Sequence, residues 1–240
     1  MKSILITGAS SGIGAATAKL FLEAGWTVGL MARRPEALSD VAADHPQSHV
    51  LPGDVTVPED CDRVVSDFAA LAGRLDVLFN NAGVFVPAAP IDETSVADWT
   101  HAVSVNLTGM FLMARAAFGQ MRHQGGGRII NNGSISAHVP REGAVTYTVT
   151  KHGVTGLTRQ LALDGRALGI ACGQIDIGNA RTPMLEALDA AQRDAGGEGV
   201  AMMDVADAAR AVKHMADLPP EANVLTMTIM ANGMPYVGRG

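Results

Sequence analysis

Tyr147 and Lys151 stand four residues apart in the stretch AVTYTVTKHG, residues 144–153. On a helix that spacing puts both side chains on one face, one turn apart. A free phenol ionises near pH ~10 and holds its proton too tightly for exchange near neutrality. A lysine cation close by favours the phenolate, so the pair has the makings of a general acid and base. The same spacing also occurs on ordinary solvated helix faces. Its meaning depends on what else the chain brings to the same place.

A second group lies near the N-terminus. TGASSGIG, residues 7–14, follows a short apolar run and precedes a helical pattern. Gly8, Gly12 and Gly14 form a G-x-x-x-G-x-G pattern, with Ser10, Ser11 and Ile13 among them. Glycine permits a sharp turn and close approach of a pyrophosphate, and a helix N-terminus adds free N–H groups and a positive dipole end. This points to dinucleotide binding, although glycine turns also join strands to helices that bind nothing. The next strand decides the nucleotide. An unphosphorylated ribose calls for Asp or Glu at its end. Here the run ends GLMARR, with Ala32 in the acid's place and Arg33 and Arg34 after it. A 2′-phosphate is repelled by a carboxylate and gripped by guanidinium groups, so NADP(H) is expected over NAD(H).

Positioning these groups calls for a parallel sheet. Apolar runs at 4–6, 28–31, 49–51, 75–79, 128–131, 170–177 and 224–229 lack strict alternation, as strands covered on both faces do. Helix-period segments lie between them at about 13–24, 35–44, 58–72, 95–123, 147–168 and 204–217. The alternation predicts an α/β, doubly wound (Rossmann) sheet of seven parallel strands with helices on both faces, one domain over residues 1–240. One region, about 178–203, is polar and glycine-rich. It is expected as a substrate loop or lid, or as an ordinary surface loop.

Composition narrows the function classes. A net charge of −6 without a basic run gives nucleic acid nothing to bind. Cys61 and Cys172 lack metal-ligand spacing, so no metal site is expected, and Cys172 reads as a small core residue. The first apolar run breaks at Gly8, too early for a signal or a membrane span. No membrane partner and a cytoplasmic location are therefore expected.

TGASSGIG, NNAG at 80–83, VNLTG at 105–109, GSISA at 133–137 and YTVTK at 147–151 occur in this order and spacing. Together they resemble the short-chain dehydrogenase/reductase family, in its classical branch, over essentially the whole chain. The resemblance implies that Tyr147 is the general acid/base and that Lys151 lowers the tyrosine pKa and binds the nicotinamide ribose. Ser134, thirteen residues before Tyr147, would hold the substrate oxygen, with Ser136 as the alternative. Asn106 would support a water-linked proton path to the lysine. Asn81, Ala82 and Gly83 would line the adenosine side, Asp54 and Val55 would contact adenine, and the Ala180 backbone and Thr182 would reach the nicotinamide carboxamide. The chain departs from the family where Ile177 replaces a proline and Asp176 takes a place often held by Asn, while Gly178 and Thr182 keep theirs. His138 either borders the substrate pocket or is a loop histidine.

The resulting expectation is an NADP(H)-dependent oxidoreductase interconverting a ketone or aldehyde with an alcohol. Val84, Phe85, Val86, Ala137, Val139, Met184 and Leu185 suggest a nonionic substrate. The alternatives are a 3-oxoacyl thioester reductase and, from another class, a non-catalytic nucleotide-binding sensor. Family resemblance also implies a homodimer or homotetramer through the segment TGMFLMARAAFGQM, residues 108–121, and the helix at 147–168, with Gly153 and Gly156 admitting a neighbouring helix. The C-terminal ANGMPYVGRG is expected to reach a neighbouring subunit.

Overall fold

In the computed structural model, which describes residues 1–194 and 196–237, the five central strand runs are hidden from water and the two at the sheet edges only in part. The strands are β1 (Ser3–Thr7), β2 (Thr27–Ala32), β3 (Ser48–Pro52), β4 (Val77–Asn80), β5 (Gly127–Asn132), β6 (Ile170–Gly178) and β7 (Thr226–Met230). They form one seven-stranded parallel sheet in the order β3-β2-β1-β4-β5-β6-β7. The α-helices are α1 (Gly12–Glu23), α2 (Pro35–Ala42), α3 (Pro58–Ala72), α4 (Val96–Val103), α5 (Met110–Gln124), α6 (Val145–Gly165), α7 (Pro183–Asp194) and α8 (Val205–Asp217). Helices α1, α2 and α8 cover one face over Ile4, Ile6, Phe21, Leu38 and Val212. On the other face α3 and α5 pack over Leu5, Phe68, Leu78 and Met113, and the end of α6 joins them through Leu161. The chain winds outward from β1 to β3, returns to β4 and winds outward the other way. The crevice at the carboxyl ends of β1 and β4 is the switch point where such sheets bind ligands.

The helix expected over 95–123 is interrupted by a π-helix, Ser104–Gly109. Asn106 sits inside it, and its carboxamide accepts the Val84 N–H at 2.7 Å and donates to the Val84 carbonyl at 2.9 Å. A Cβ on Gly109 would come within 2.8 Å of Val55. These contacts accompany the wider turn, a feature frequent at functional sites. The run Val96–Gln124 is long and apolar enough to span a membrane, but Met110, Met113, Ala114, Ala117 and Met121 are buried in the fold.

Two expectations need correction, the irregular loop and the open face at Gly153. The region 178–203 is not an irregular loop throughout, because α7 occupies its middle. That helix buries none of its residues, and its apolar Met184, Leu185 and Leu188 stand among Glu186, Asp189, Gln192 and Arg193. Gly153 packs inside its own chain, since an added Cβ would meet Leu107 at 2.9 Å; Gly156 is open. The C-terminal stretch folds back in turns at Ala231, Met234 and Tyr236, with Met234 beside Gly178. Its last residues, 238–240, lie outside the described residues.

Candidate active site

A cleft of about 400 Å³ opens at the switch point. One wall is the turn after β1. Gly8 (φ 65°) and Gly12 (φ 53°) take left-handed backbone that other residues adopt only with strain. Ser11 precedes α1 without a side-chain cap, and the first turn holds no acidic residue. Its backbone N–H groups and dipole therefore remain available to an anion. Gly8, Ser10, Ser11, Gly12 and Ile13 all line the cleft. Gly14 does not: a Cβ there would lie 2.3 Å from the Gly8 oxygen, so this glycine lets helix and turn pack rather than touching a ligand.

The end of β2 brings Ala32, Arg33 and Arg34 to the same cleft, and both arginines are exposed. Asp54, Val55, Asn81, Ala82 and Gly83 close the far side. Asp54 Oδ1 accepts both the Thr56 N–H (2.9 Å) and the Thr56 hydroxyl (2.8 Å). Asn81 ties three strand ends together: its Nδ2 donates to the Thr7 carbonyl at 2.9 Å and its Oδ1 accepts Asn132 Nδ2 at 2.8 Å. This donor set fits a nicotinamide dinucleotide. Glycine backbone and a helix N-terminus suit the phosphates, and Tyr147 and Lys151 line the same cleft.

Tyr147 and Lys151 occupy the first two turns of α6 and line the cleft. Lys151 is 3% exposed, and its Nζ donates to the Asn132 carbonyl at 2.7 Å. Burial brings its pKa down to about 8, against an upward pull from Asp176. Burial also pushes the Tyr147 phenol above its ordinary value, with Asp176 adding to the rise, while Ser134 and Arg141 pull it back. The expected lowering by Lys151 is therefore not what the protein's own groups produce. The ammonium, held by Asn132, lies 5.4 Å from the Tyr147 ring centroid, and burial dominates. Phe85 stacks on the same ring with centroids 4.1 Å apart.

Ser134 lies just behind the cleft and is 3% exposed. Its Oγ accepts the Ser136 N–H at 3.1 Å, which leaves its own proton to donate. Ser136 is more deeply buried, and among the described residues its hydroxyl has no partner. Asn106 also stands behind the cleft wall, with both ends of its carboxamide used by Val84. Of the pair expected at the carboxamide, Thr182 lines the cleft and Ala180 does not. Asn179 turns the chain at φ 51° and Ala180 is buried in a bridge to Met203.

Sequence reasoning missed the floor under α6. Asn131, Asn132, Gln174 and Asp176 are buried polar residues on β5 and β6. His138 is not a free loop histidine: its Nε2 lies 2.7 Å from Asp176 Oδ2. Polar residues inside apolar strand runs were the available signal. Both cysteines are buried, and burial pushes each thiol up to about 12, in keeping with core packing.

Residues 2–193 match the family model described as short chain dehydrogenase. The chain is 38% identical over 191 residues to cis-4-hydroxycyclohexanecarboxylate dehydrogenase of Sinomonas cyclohexanicum, covering 78% of this chain and 76% of that protein. It is 34% identical over 193 residues to L-fucose dehydrogenase of Mus musculus, covering 80% and 70%. Among solved structures, levodione reductase superposes with a TM-score of 0.83 at 28% identity, covering 95% of each chain. Sequence, sheet order and cleft thus agree, and the chain belongs to the short-chain dehydrogenase/reductase family, oxidoreductases of alcohol and carbonyl groups.

Proposed function

We propose that this protein is an NADP(H)-dependent oxidoreductase that interconverts a small ketone or aldehyde with its alcohol, with Tyr147 moving the proton. The observation that carries the reading is the convergence of Arg33 and Arg34, the glycine turn, Tyr147 and Lys151 on one cleft. A bound nicotinamide dinucleotide supplies the hydride and, when oxidised, a positive ring. The chain's own residues do the rest. Ser134 donates to the substrate oxygen and fixes its position. Tyr147 gives its hydroxyl proton to that oxygen in reduction and takes it back in oxidation. Lys151 holds the ribose and, through a water path supported near Asn106, restores the proton to the phenol.

Val84, Phe85 and Met184 give the substrate side an apolar lining, which supports a nonionic substrate. Assembly as a homodimer or homotetramer is supported by Phe111 and Val149, apolar yet exposed on α5 and α6. A cytoplasmic location completes the proposal.

The test is a purified sample offered NADPH or NADH with a panel. It begins with the compounds in the relatives' names: cis-4-hydroxycyclohexanecarboxylate and L-fucose for oxidation, levodione for reduction. Cyclohexanol and cyclohexanone serve as nonionic counterparts, and a 3-oxoacyl thioester is included. Turnover of a nonionic carbonyl with NADPH preferred is the expected result. Cofactor binding without turnover of any member would favour the sensor reading, and a preference for NADH would overturn the cofactor assignment.

A further inference from the structure

A fully buried carboxylate must be held by donors, because leaving it unpaired away from water is costly. Asp176 has no exposed surface, and the proposed proton transfer does not use it. Both its oxygens are engaged. Oδ1 accepts the Ser134 N–H at 2.9 Å and Gln174 Nε2 at 2.7 Å. Oδ2 meets His138 Nε2 at 2.7 Å. One carboxylate thus joins the two ends of the stretch from Ser134 to His138, with the short helix Ile135–Ala137 between them. The fit is close: a Cβ on Gly133 would lie 2.1 Å from Asp176 Oδ1, so the backbone before Ser134 can pass only as glycine. Gln174 extends the hold to α6 through the Thr155 hydroxyl at 3.0 Å and the Thr158 hydroxyl at 3.2 Å. The helix carrying Tyr147 and the turn carrying Ser134 are therefore tied to the same carboxylate.

We propose that Asp176, bridged to His138, is a positioning residue that sets Ser134 against Tyr147 and fixes the charge beneath them. The inference deepens the acid–base reading of Tyr147 and rests on it. The charged and titratable groups around the phenol come from four elements. Lys151 is on α6, Asp176 on β6, His138 follows the short helix, and Arg141 is in the loop before α6. Within this set the Asp176 charge disfavours tyrosinate and favours the lysine cation. Burial is the larger cause of the rise at Tyr147, and the carboxylate adds to it.

The chain has two tyrosines, so a Tyr236→Phe background leaves Tyr147 as the only phenol for an ultraviolet titration. In that background Asp176→Asn should lower the Tyr147 ionisation, because a charge that raises it is gone. His138→Ala should raise it, because a donor that offsets the carboxylate is gone. NADPH affinity should stay unchanged in both. With the panel carbonyl reduced fastest, Asp176→Asn should lose roughly ten- to a hundredfold in kcat, the range for a hydrogen bond to a charged group, with KM little changed. Unmoved titrations, or shifts of the same sign in both variants, would overturn the proposal. So would equal losses in kcat and NADPH affinity, which mark a general structural role. If Asp176→Asn does not fold, the upward shift in His138→Ala still decides. Tyr147→Phe separates the two claims: full activity in that variant defeats the acid–base reading, whereas its loss beside a normal Asp176→Asn defeats only this one.

Discussion

The two halves of the cleft are built from different materials. The half at β1, β2 and β4 is largely backbone: a turn that glycine alone can make, uncapped N–H groups, and two exposed arginines. Beneath α6, the half at β5 and β6 is built mainly from side chains, with the Asn132 carbonyl and the Ser134 N–H joining them. Asn131, Asn132, Gln174 and Asp176 form a buried polar floor carrying Lys151 and Ser134. The first half meets its ligand with donors that need no ionisation. The second holds titratable groups whose ionisation its surroundings set. Substitutions in the first half should therefore change affinity, and those in the second should change rate and pH dependence.

The largest effect should come from Tyr147→Phe. It removes the proton donor and little else, so turnover should fall by roughly two to four decades, the usual yield of acid–base catalysis. NADPH binding, followed by nucleotide fluorescence, should persist. Arg33→Ala tests the other half. Loss of one charge-assisted contact, about 1.5–3 kcal/mol, should weaken NADPH roughly ten- to a hundredfold and leave NADH nearly unchanged. Equal loss for both would move the arginine's role to the fold or the pyrophosphate. A smaller effect follows from Lys151. The cation is present below its pKa of about 8 and is lost as pH rises through that value. Reduction measured against pH should therefore decline above about 8, on the order of one decade per unit at most. Phe85→Ala should do least. Removing an aromatic stack worth about 0.5–1.5 kcal/mol should shift KM less than about tenfold.

The same contrast explains what could be read in advance. Gly8, Gly12, Arg33 and Arg34 sit in contiguous motifs whose backbone geometry follows from residue type, and the structure brings them together as expected. All seven strands were legible because each holds an apolar stretch between helix-period segments, although β3, β5 and β7 mix in polar residues. The floor was not legible. The Ser134–Asp176 bond spans 42 residues and exists only through the pairing of β5 with β6. His138 gave no sign of its partner for the same reason. Helix α7 was hidden by the polar, glycine-rich run that follows it, and the π-helix around Asn106 by a hydrogen-bonding partner, Val84, 22 residues away. Gly14 packs helix against turn, and the bridge at Ala180 is bonded through its neighbours Asn179 and Arg181, contacts that sequence position alone does not reveal.

Tyr147 joins the two halves, since a nucleotide bound by the first would place a charge beside a phenol controlled by the second. The most direct test is an ultraviolet titration of Tyr147 in the Tyr236→Phe background, with and without NADP⁺. In the free protein, ionisation is expected above the ordinary tyrosine value of about 10, because burial opposes the charge. Saturating NADP⁺ should bring it down. A titration that NADP⁺ leaves unmoved would contradict the account.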